Sequence, residues 1–242
     1  MKVIKASYEI LKPDMDGTAA RDAIYQAIET AGRTCYKSES SITPESAARF
    51  VERIVKNGHE AMLEHASMTV KFIVDRGVSH ELVRHRVASF AQESTRYCNY
   101  SQDKFGNEIT VIEPCFFKYN SLCIDWVDTT DGRSMRSLPN APMDTRNYVL
   151  WYNACQFAED LYFMLLNNGA TPQEARAVLP NSLKTEVIMT ANMREWRHFF
   201  RLRAAGETGK PHPQMVEVAL PLLKEMQSYM PELFGDIQVK ED

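Results

Sequence analysis

Hydrophobic residues recur along the chain at two spacings, and each spacing predicts a type of element. From Asp16 to Ala31, alanine and isoleucine residues recur at helical spacing, and Gly32 follows where a helix C-terminal glycine is expected. A second amphipathic helix is predicted to start at Thr43-Pro44-Glu45 and to end before Gly58. Between Ser67 and Asp75, apolar and polar residues alternate, which predicts a strand.

The middle of the chain has a less regular pattern. Helical spacing returns from Val78 to about Ala88. Residues 101–143 contain turn-forming residues, scattered aromatics and three prolines, so we expect short strands at about 109–118 and a surface excursion after them. A long helix is then predicted from Thr145 to Asn168, ended by Gly169.

The last third contains two helix starts and a strand. Thr171-Pro172-Gln173-Glu174 has the sequence of a capping box and predicts a short helix to Val178. Val187 to Met189 indicates a strand, and Asn192 with Glu195 three residues later predicts another helix start. In the last helix, at about 213–230, Pro221 should produce a kink or mark the true beginning. We therefore expect one α/β or α+β domain over residues 1–242, with long helices and few strands.

Composition narrows the class of protein. Hydrophobic residues make up 44% of the 242 residues and charged residues 25%, which is typical of a globular chain. Apolar runs are too short to cross a membrane, and residues 1–5 have no apolar leader region, so we expect a cytoplasmic protein. Five cysteines without a C-x-x-C pair predict free thiols. The net charge of −4 argues against a protein that coats nucleic acid.

Charge is nevertheless concentrated locally. The segment from Lys184 to Lys210 has six basic and three acidic residues, and it predicts a basic pocket for a small anion. His59 and His65 are reminiscent of a zinc-protease helix, but six helical residues rotate by about 240° net, so the two histidines cannot share a face. We therefore predict no metal site and interpret both as polar residues at a helix-to-strand turn.

Three arginines, a histidine and several hydroxyls lie close together between Arg84 and Tyr97. Guanidinium groups bind phosphate in a bidentate manner, and serine or threonine hydroxyls add hydrogen bonds. On residue chemistry alone, this segment is either an anion site or a surface network of salt bridges.

The same segment carries a resemblance to a known family. It matches R-H-R-x-x-S-x-x-x-x-S-x-R-Y at every fixed position, and it thereby resembles the flavin-dependent thymidylate synthases. The resemblance covers nearly the whole chain apart from residues 101–143. It also includes the segments Gly58-His59-Glu60, Glu64-His65, Ala175-Arg176-x-x-Leu179-Pro180, Thr190-x-Asn192 and Leu202-Arg203.

The resemblance implies a fold, a reaction and an assembly. The fold would be long helices packed on a small, mostly antiparallel sheet. The reaction would be reductive methylation of dUMP to dTMP, with 5,10-methylenetetrahydrofolate as one-carbon donor and FAD, reduced by NADPH, as hydride source. The assembly would be a homotetramer with active sites built from several subunits, without nucleic acid or membrane.

The resemblance also implies roles for individual residues. Arg203 would lie against the uracil and act as the catalytic cation, stabilising negative charge as C5 becomes nucleophilic. The implied dUMP-binding residues are Glu81, Arg84, Gln92, Glu93, Ser94, Thr95, Arg96, Arg176 and Arg203. The implied FAD-binding residues are Ala61, Arg84, His85, Arg86, Gln92, Asn192, Met193, Arg194 and His198.

Two positions depart from other members, and one residue needs separate treatment. Ala61 stands where others offer a hydroxyl, so a flavin contact there would use backbone atoms. Gln92 stands where some relatives have glutamate. Basic neighbours could depress the pKa of Cys98, but the family is thought to need no cysteine nucleophile. We interpret Cys98 as incidental and Ser94 as a phosphate ligand.

Two other functions use the same arginines. One is a nucleic-acid-binding module, which the net charge and the lack of a recognised binding motif disfavour. The other is a flavoprotein that oxidises NADPH without methylating a substrate.

Overall fold

The structure is a computed structural model that describes residues 1–129 and 132–239. Its internal contacts divide it into two compact units. The first unit comprises Met1–Ala6, Val74–Ser79 and Gln92–Thr185, and the second comprises Ser7–Ile73, His80–Ala91 and residues 186–239. The predicted excursion at 101–143 belongs to the first unit, apart from residues 130 and 131, which lie outside the described residues.

The helices and strands are as follows. The helices are α1 Ala19–Tyr36, α2 Ser46–Lys56, α3 Arg76–Leu82, α4 Met143–Asn167, α5 Pro172–Ala175, α6 Met193–Arg203, α7 Pro213–Tyr229 and α8 Pro231–Phe234. The strands are β1 Lys2–Ile4, β2 Ser7–Lys12, β3 Ser67–Asp75, β4 Ala88–Gln92, β5 Thr110–Ile112, β6 Ile124–Thr129, β7 Gly132–Ser137 and β8 Lys184–Asn192. Short 3-10 helices occupy Glu39–Ser41, Glu60–His65, Asp103–Phe105, Ser121–Cys123 and Arg176–Val178.

The strands form small sheets, which together with the helices confirm the predicted mixed fold. In the first unit, β1 pairs in parallel with β5, and β6 pairs antiparallel with β7. The largest sheet has the order β2-β3-β8-β4, and β2 runs antiparallel to β3. Most residues of this sheet belong to the second unit.

The core of the first unit forms along α4. Tyr162 and Cys155 are buried there, and the Tyr162 and Tyr100 rings lie 5.8 Å apart. The hairpin of β6 and β7 is fixed to the same helix because the Asn153 amide group pairs with both backbone polar groups of Met135, at 2.9 and 2.7 Å. The sequence predicted strands at about 109–118. Only 110–112 form one, and the hairpin was not predicted.

The core of the second unit lies between β3 and α6. The predicted strand Ser67–Asp75 is confirmed at both ends, and its residues Met68 and Phe72 are fully buried. Phe72 packs against Trp196 and Phe199, with ring centroids 6.3 and 6.0 Å apart. Trp196 also donates its indole N–H to the Met68 carbonyl at 3.0 Å, so the first turn of α6 is joined directly to β3.

Several predicted boundaries were wrong for identifiable physical reasons. Helix α1 continues through Gly32, where a Cβ would lie 2.4 Å from the ring of Phe50, so this glycine permits close helix packing instead of ending the helix. Helix α2 begins at Ser46, because Thr43 forms a turn in which its amide donates to Ser46 Oγ. The helix predicted for 78–88 is α3, which ends at Leu82, and β4 then begins at Ala88.

Other local signals are confirmed. Thr171 and Glu174 form the capping box of α5, and Gly169 follows α4 with a φ of 91°. The Asn192 side chain caps α6 by accepting from the Glu195 amide at 2.9 Å. Pro221 lies within α7, which begins at Pro213, so Pro221 does not mark the helix start. Among the described residues, every helix is too short or too polar to pass through a lipid bilayer.

Candidate active site

In the second unit, four side chains form a hydrogen-bonded chain that includes the predicted catalytic arginine. Arg203, in the last turn of α6, donates from Nη1 to Glu81 Oε2 at 2.8 Å and from Nε to His85 Nε2 at 3.2 Å. The other ring nitrogen, His85 Nδ1, lies 2.9 Å from Glu195 Oε1. The predicted residues Glu81, His85 and Arg203 therefore come together, and Glu195 completes the chain.

The geometry of this chain fixes the tautomer of His85. An arginine Nε–H can only donate, so His85 Nε2 accepts, and the ring proton is on Nδ1, where it is donated to Glu195. Burial lowers the pKa of His85, the hydrogen bond to Glu195 opposes this shift, and the charge of Arg203 reinforces it. His85 is therefore a neutral link between a carboxylate and a guanidinium.

His198 and Glu195 complete a group that has the ligand types of a metal site. The ligand atoms of His85, Glu195 and His198 lie within 4.8 Å of one another. Both nitrogens of His85 already have hydrogen-bond partners, and one partner is the cationic Arg203. A second cation at this point would be repelled, so the arrangement fits a hydrogen-bonded chain better than a metal centre.

A cavity of 290 Å³ lies beside this chain and brings together three predicted flavin-binding residues. Asn192, Arg194 and His198 line it, with Glu60, Glu64, Val87, Glu195 and Arg201. Met193, between two of the lining residues, is fully buried and donates its amide to the Ala66 carbonyl at 2.9 Å, so its side chain and amide are both engaged inside the protein. Ala61 is exposed on the 3-10 helix that also carries Glu60 and Glu64.

Arg84 and Arg86 lie on either side of the buried His85, and both are exposed. They follow α3 in the segment that leads to β4. Within residues 1–129 and 132–239, no carboxylate forms an ion pair with either arginine. Their charges therefore face solvent and are accessible to an anionic ligand.

The first unit carries the rest of the predicted dUMP residues. Ser94 opens a turn in which its carbonyl accepts from the amides of Tyr97 and Cys98, at 3.1 and 3.0 Å, and its Oγ accepts from the Arg96 amide at 3.3 Å. Arg176 begins the 3-10 helix after α5, and its Nη1 lies 3.5 Å from Thr95 Oγ1. Arg96 and Arg176 are exposed, so this turn combines two cations with hydroxyl groups.

Gln92 and Glu93 are held by neighbours within the first unit. The Gln92 amide nitrogen donates to Ser79 Oγ at 3.0 Å and to Thr185 Oγ1 at 3.2 Å. A carboxylate has no N–H to donate, so a glutamate at position 92 could not make these two hydrogen bonds. The structure therefore explains why a glutamine suits this position in this chain. Glu93 pairs with Lys184 at 2.9 Å and lines a cavity of 400 Å³ with Tyr100.

The predicted basic pocket between Lys184 and Lys210 does not exist as a single feature. Lys184 pairs with Glu93, Arg194 with Glu64, Arg197 with Glu60 and Asp236, Arg201 with Glu60, Glu207 and Asp236, and Arg203 with Glu81. These cations therefore have carboxylate partners. The segment from Lys184 to Lys210 is also divided, because Lys184 belongs to the first unit and the residues from 186 onward belong to the second.

Comparison with known proteins places these residues in a family. The family model for thymidylate synthase complementing protein matches residues 20–232. The chain belongs to this family. A flavin-dependent thymidylate synthase of Corynebacterium efficiens is 33% identical over 221 residues, covering 88% of this chain and 79% of that protein. The same enzyme of Mycobacterium tuberculosis is 31% identical over 231 residues, covering 94% and 85%.

The fold is shared with solved structures of a UMP/dUMP methylase, PolB from Streptomyces cacaoi. The structure bound with 5-Br UMP has a TM-score of 0.69 at 22% identity and covers 97% of this chain and 95% of its own. The structure bound with 5-Br dUMP has a TM-score of 0.70 at 20% identity, with coverage of 97% and 96%. The two chains therefore share a fold at low sequence identity.

The pKa of the Cys98 thiol is raised, whereas the sequence suggested that it could be lowered, and this shift affects how nucleophilic Cys98 is. Burial raises the pKa of this thiol, and the charge of Glu93 raises it further, against the opposing charges of Lys104 and Lys184. The expectation of a depressed pKa was wrong because burial, the largest influence, and the charge of Glu93 together outweigh the basic residues Lys104 and Lys184. At neutral pH, Cys98 is a protonated thiol and a poor nucleophile.

Two residues of this family member's site were not predicted for the roles that the structure gives them. The sequence placed Glu195 only as a helix-start residue, yet its side chain holds His85. Arg197 was counted among the basic residues, yet it is fully buried and paired with Asp236 and Glu60. The available signal was the helical spacing of α6, which places Glu195 and Phe199 on the buried side with His85.

Proposed function

We propose that this protein is a flavin-dependent thymidylate synthase that methylates dUMP to form dTMP in the cytoplasm. The one-carbon donor is 5,10-methylenetetrahydrofolate, FAD supplies the hydride when bound, and NADPH reduces it. A homotetramer is the expected working form. Family membership over residues 20–232, together with the joined Glu81, Arg203, His85 and Glu195 side chains, supports this proposal.

Arg203 is well placed to act as a fixed cation. Glu81 and His85 each accept one of its hydrogen bonds, so the guanidinium is held in one orientation before substrate arrives. A preorganised donor stabilises developing charge without reorganising during the reaction. We assign Arg203 to the uracil and Glu81 to its support.

The phosphate of dUMP is assigned to the first-unit turn. Ser94, Thr95, Arg96 and Arg176 supply hydroxyl groups and two exposed guanidinium groups, which suits a dianionic monophosphate. The proposed dUMP residues are divided between the two units. An active site assembled from several copies does not require them to come from one chain.

The residues proposed for FAD fit different parts of that cofactor. The exposed cations Arg84 and Arg86 suit its pyrophosphate. The 290 Å³ cavity holds three carboxylates and two arginines, so it suits neutral hydroxyl and ring groups better than phosphate. Its volume is at the lower end of small-molecule pockets and would enclose only part of FAD. Asn192, Arg194 and His198 would hold that part.

The proposal is tested by product formation. Purified protein is incubated with FAD, NADPH, dUMP and 5,10-methylenetetrahydrofolate, and dTMP is measured by mass spectrometry. A parallel reaction without dUMP measures NADPH oxidation alone. Formation of dTMP that requires all four compounds supports the proposal. NADPH oxidation without dTMP, or folded protein that acquires no flavin absorbance with excess FAD, contradicts it.

A pair of arginine variants tests the phosphate assignment. Arg176→Ala should weaken dUMP binding by on the order of 10-fold to 100-fold, since one charge-assisted hydrogen bond is lost. Arg49→Ala removes another exposed arginine, from α2, and should leave dUMP binding unchanged. Equal dUMP affinity in both variants would remove Arg176 from the site.

A further inference from the structure

Glu195 is a carboxylate of α6 whose side chain lies inside the second unit. It is the third residue of the helix, where a glutamate commonly turns back to bind the N-cap amide. Here its Oε1 lies 2.9 Å from His85 Nδ1 instead, and its side chain is only 10% exposed. A carboxylate is seldom buried without a partner that offsets its lost hydration, and His85 is that partner. The contact with His85 therefore determines where this carboxylate lies.

His85 is enclosed by aromatic rings and binds two charged side chains. It is 4% exposed, and the rings of Phe199 and His198 lie 5.1 and 5.9 Å away, both edge-on. Nδ1 faces Glu195, and Nε2 accepts from Arg203 Nε at 3.2 Å. Since a neutral imidazole carries one N–H, the nitrogen that holds the proton decides which neighbour receives a hydrogen bond and which neighbour donates one.

The carboxylate of Glu195 selects between the two tautomers of His85. A carboxylate only accepts hydrogen bonds, so it keeps the ring proton on Nδ1 and leaves Nε2 as an acceptor for Arg203. A histidine side chain in water prefers the other tautomer, in which the N–H of His85 would face the Nε–H of Arg203 and two donors would meet. We propose that Glu195 is a positioning residue for Arg203, because it imposes the His85 tautomer that accepts from this guanidinium.

The contact with His85 determines the orientation of the Arg203 guanidinium. Among the described residues, Glu81 is the other side chain that binds it, and Glu81 Oε2 accepts from Nη1 at 2.8 Å. One hydrogen bond leaves a planar group free to turn about that bond, whereas two bonds from different nitrogens fix its plane. The Arg203 side chain is 23% exposed, so packing alone does not hold it. Loss of the acceptor on His85 would therefore release the guanidinium from the orientation assigned to the uracil.

Glu195 has two other effects that a test must separate from positioning. Its negative charge in the first turn of α6 favours the helix through the helix dipole. It also lines the 290 Å³ cavity assigned to FAD. Neither effect depends on which nitrogen of His85 holds the proton. The consequence for turnover rests on the proposed function, but the tautomer of His85 is a property of the folded chain and is measured without any reaction.

Nitrogen NMR of isotope-labelled imidazole rings tests the tautomer in flavin-free protein at neutral pH. The wild-type chain should show the His85 proton on Nδ1, with the signal assigned by its loss in His85→Gln. Glu195→Gln should keep that tautomer, because the amide oxygen accepts the same proton. Glu195→Leu has a similar size and no acceptor, so it should move the proton to Nε2. A wild-type proton on Nε2, which needs no variant to detect, or a folded Leu variant with an unchanged tautomer overturns the proposal.

Turnover at saturating FAD and dUMP tests whether Glu195 acts through Arg203. Glu195→Leu should lower dTMP formation by on the order of 100-fold, since a misplaced group costs about that much, and Glu195→Gln should retain most of it. The double variant Glu195→Leu with Arg203→Ala should be no slower than Arg203→Ala alone, because the two losses share one path. Additive losses would assign Glu195 to the flavin cavity, and equal losses in the Gln and Leu variants would assign the effect to its charge. Either result overturns the proposal, whereas a wild-type chain that forms no dTMP contradicts the proposed function and leaves the tautomer result standing.

Discussion

Replacing Arg203 by alanine is the most informative perturbation of the proposed site. The substitution removes the hydrogen bonds to Glu81 and His85, at 2.8 and 3.2 Å, together with the charge assigned to the uracil. Arginine has five N–H donors. In the described structure, Arg203 uses one from Nε on His85, one from Nη1 on Glu81 Oε2, and one from Nη2 on the Glu81 carbonyl at 3.5 Å. Two donors remain for a ligand.

The size of the effect follows from the number of preorganised donors. Loss of one such donor costs about 3–4 kcal/mol of barrier, or about 10²–10³ in rate. Because the interaction is made mainly as charge develops on the uracil, turnover should fall more than dUMP affinity. Arg203→Lys keeps the charge but cannot reach Glu81, His85 and substrate together, so it should also lose turnover.

The same variant has a spectroscopic signature. The charge of Arg203 helps to lower the pKa of His85, so its removal should raise that pKa, as measured by NMR titration of the imidazole. Turnover is measured as dTMP formation at saturating dUMP, with FAD and dUMP affinities measured for the same protein. Near wild-type turnover, loss of flavin binding alone, or an unchanged pKa of His85 would refute the role given to Arg203.

Three further outcomes are expected. Cys98→Ala should keep substantial turnover, because burial and the charge of Glu93 raise the pKa of the thiol; a variant that binds flavin and dUMP but forms no dTMP would reinstate a covalent mechanism. Arg197→Met should lower the free energy of unfolding in urea by about 3 kcal/mol, since it removes a fully buried guanidinium and leaves Asp236 and Glu60 with only the partly exposed Arg201 as a cationic partner; a change below about 1 kcal/mol would contradict this. Burial raises the pKa of Asp236, but the hydrogen bonds from Arg197 outweigh it, so the folded pKa lies below its usual value. The stabilising contribution of Asp236 should therefore be complete above about pH 4 and be lost as pH falls further. The free energy of unfolding in urea is measured at several pH values for the wild-type chain and for Asp236→Asn, and the difference between them should shrink in acid. A difference that stays constant with pH would contradict this prediction.

Local chemistry determined the elements that the sequence predicted well. The capping box at Thr171 and the Asn192 cap use contacts within four residues, so their partners are adjacent in the sequence. The strand Ser67–Asp75 was predicted because its alternation reports one buried face. The arginine signature also lies within fourteen residues, which is why the family resemblance was accessible from sequence.

Contacts between segments that are distant in the sequence determined the features that the sequence did not predict correctly. Gly32 has the sequence appearance of a helix end, but Phe50 packs against it and the helix continues. Glu195 and His85 are separated by 110 residues, and no periodicity connects them. The cations after Lys184 resembled a basic pocket until their carboxylate partners were placed.

Helix α4 shows the same division most clearly. Its sequence is apolar on several sides, so periodicity predicts a helix but not which of its faces is buried. Packing in the first unit covers Tyr148, Cys155 and Tyr162 and leaves Leu150 and Phe157 exposed. Burial depends on which surfaces meet in three dimensions, and the sequence of one helix does not contain its neighbours.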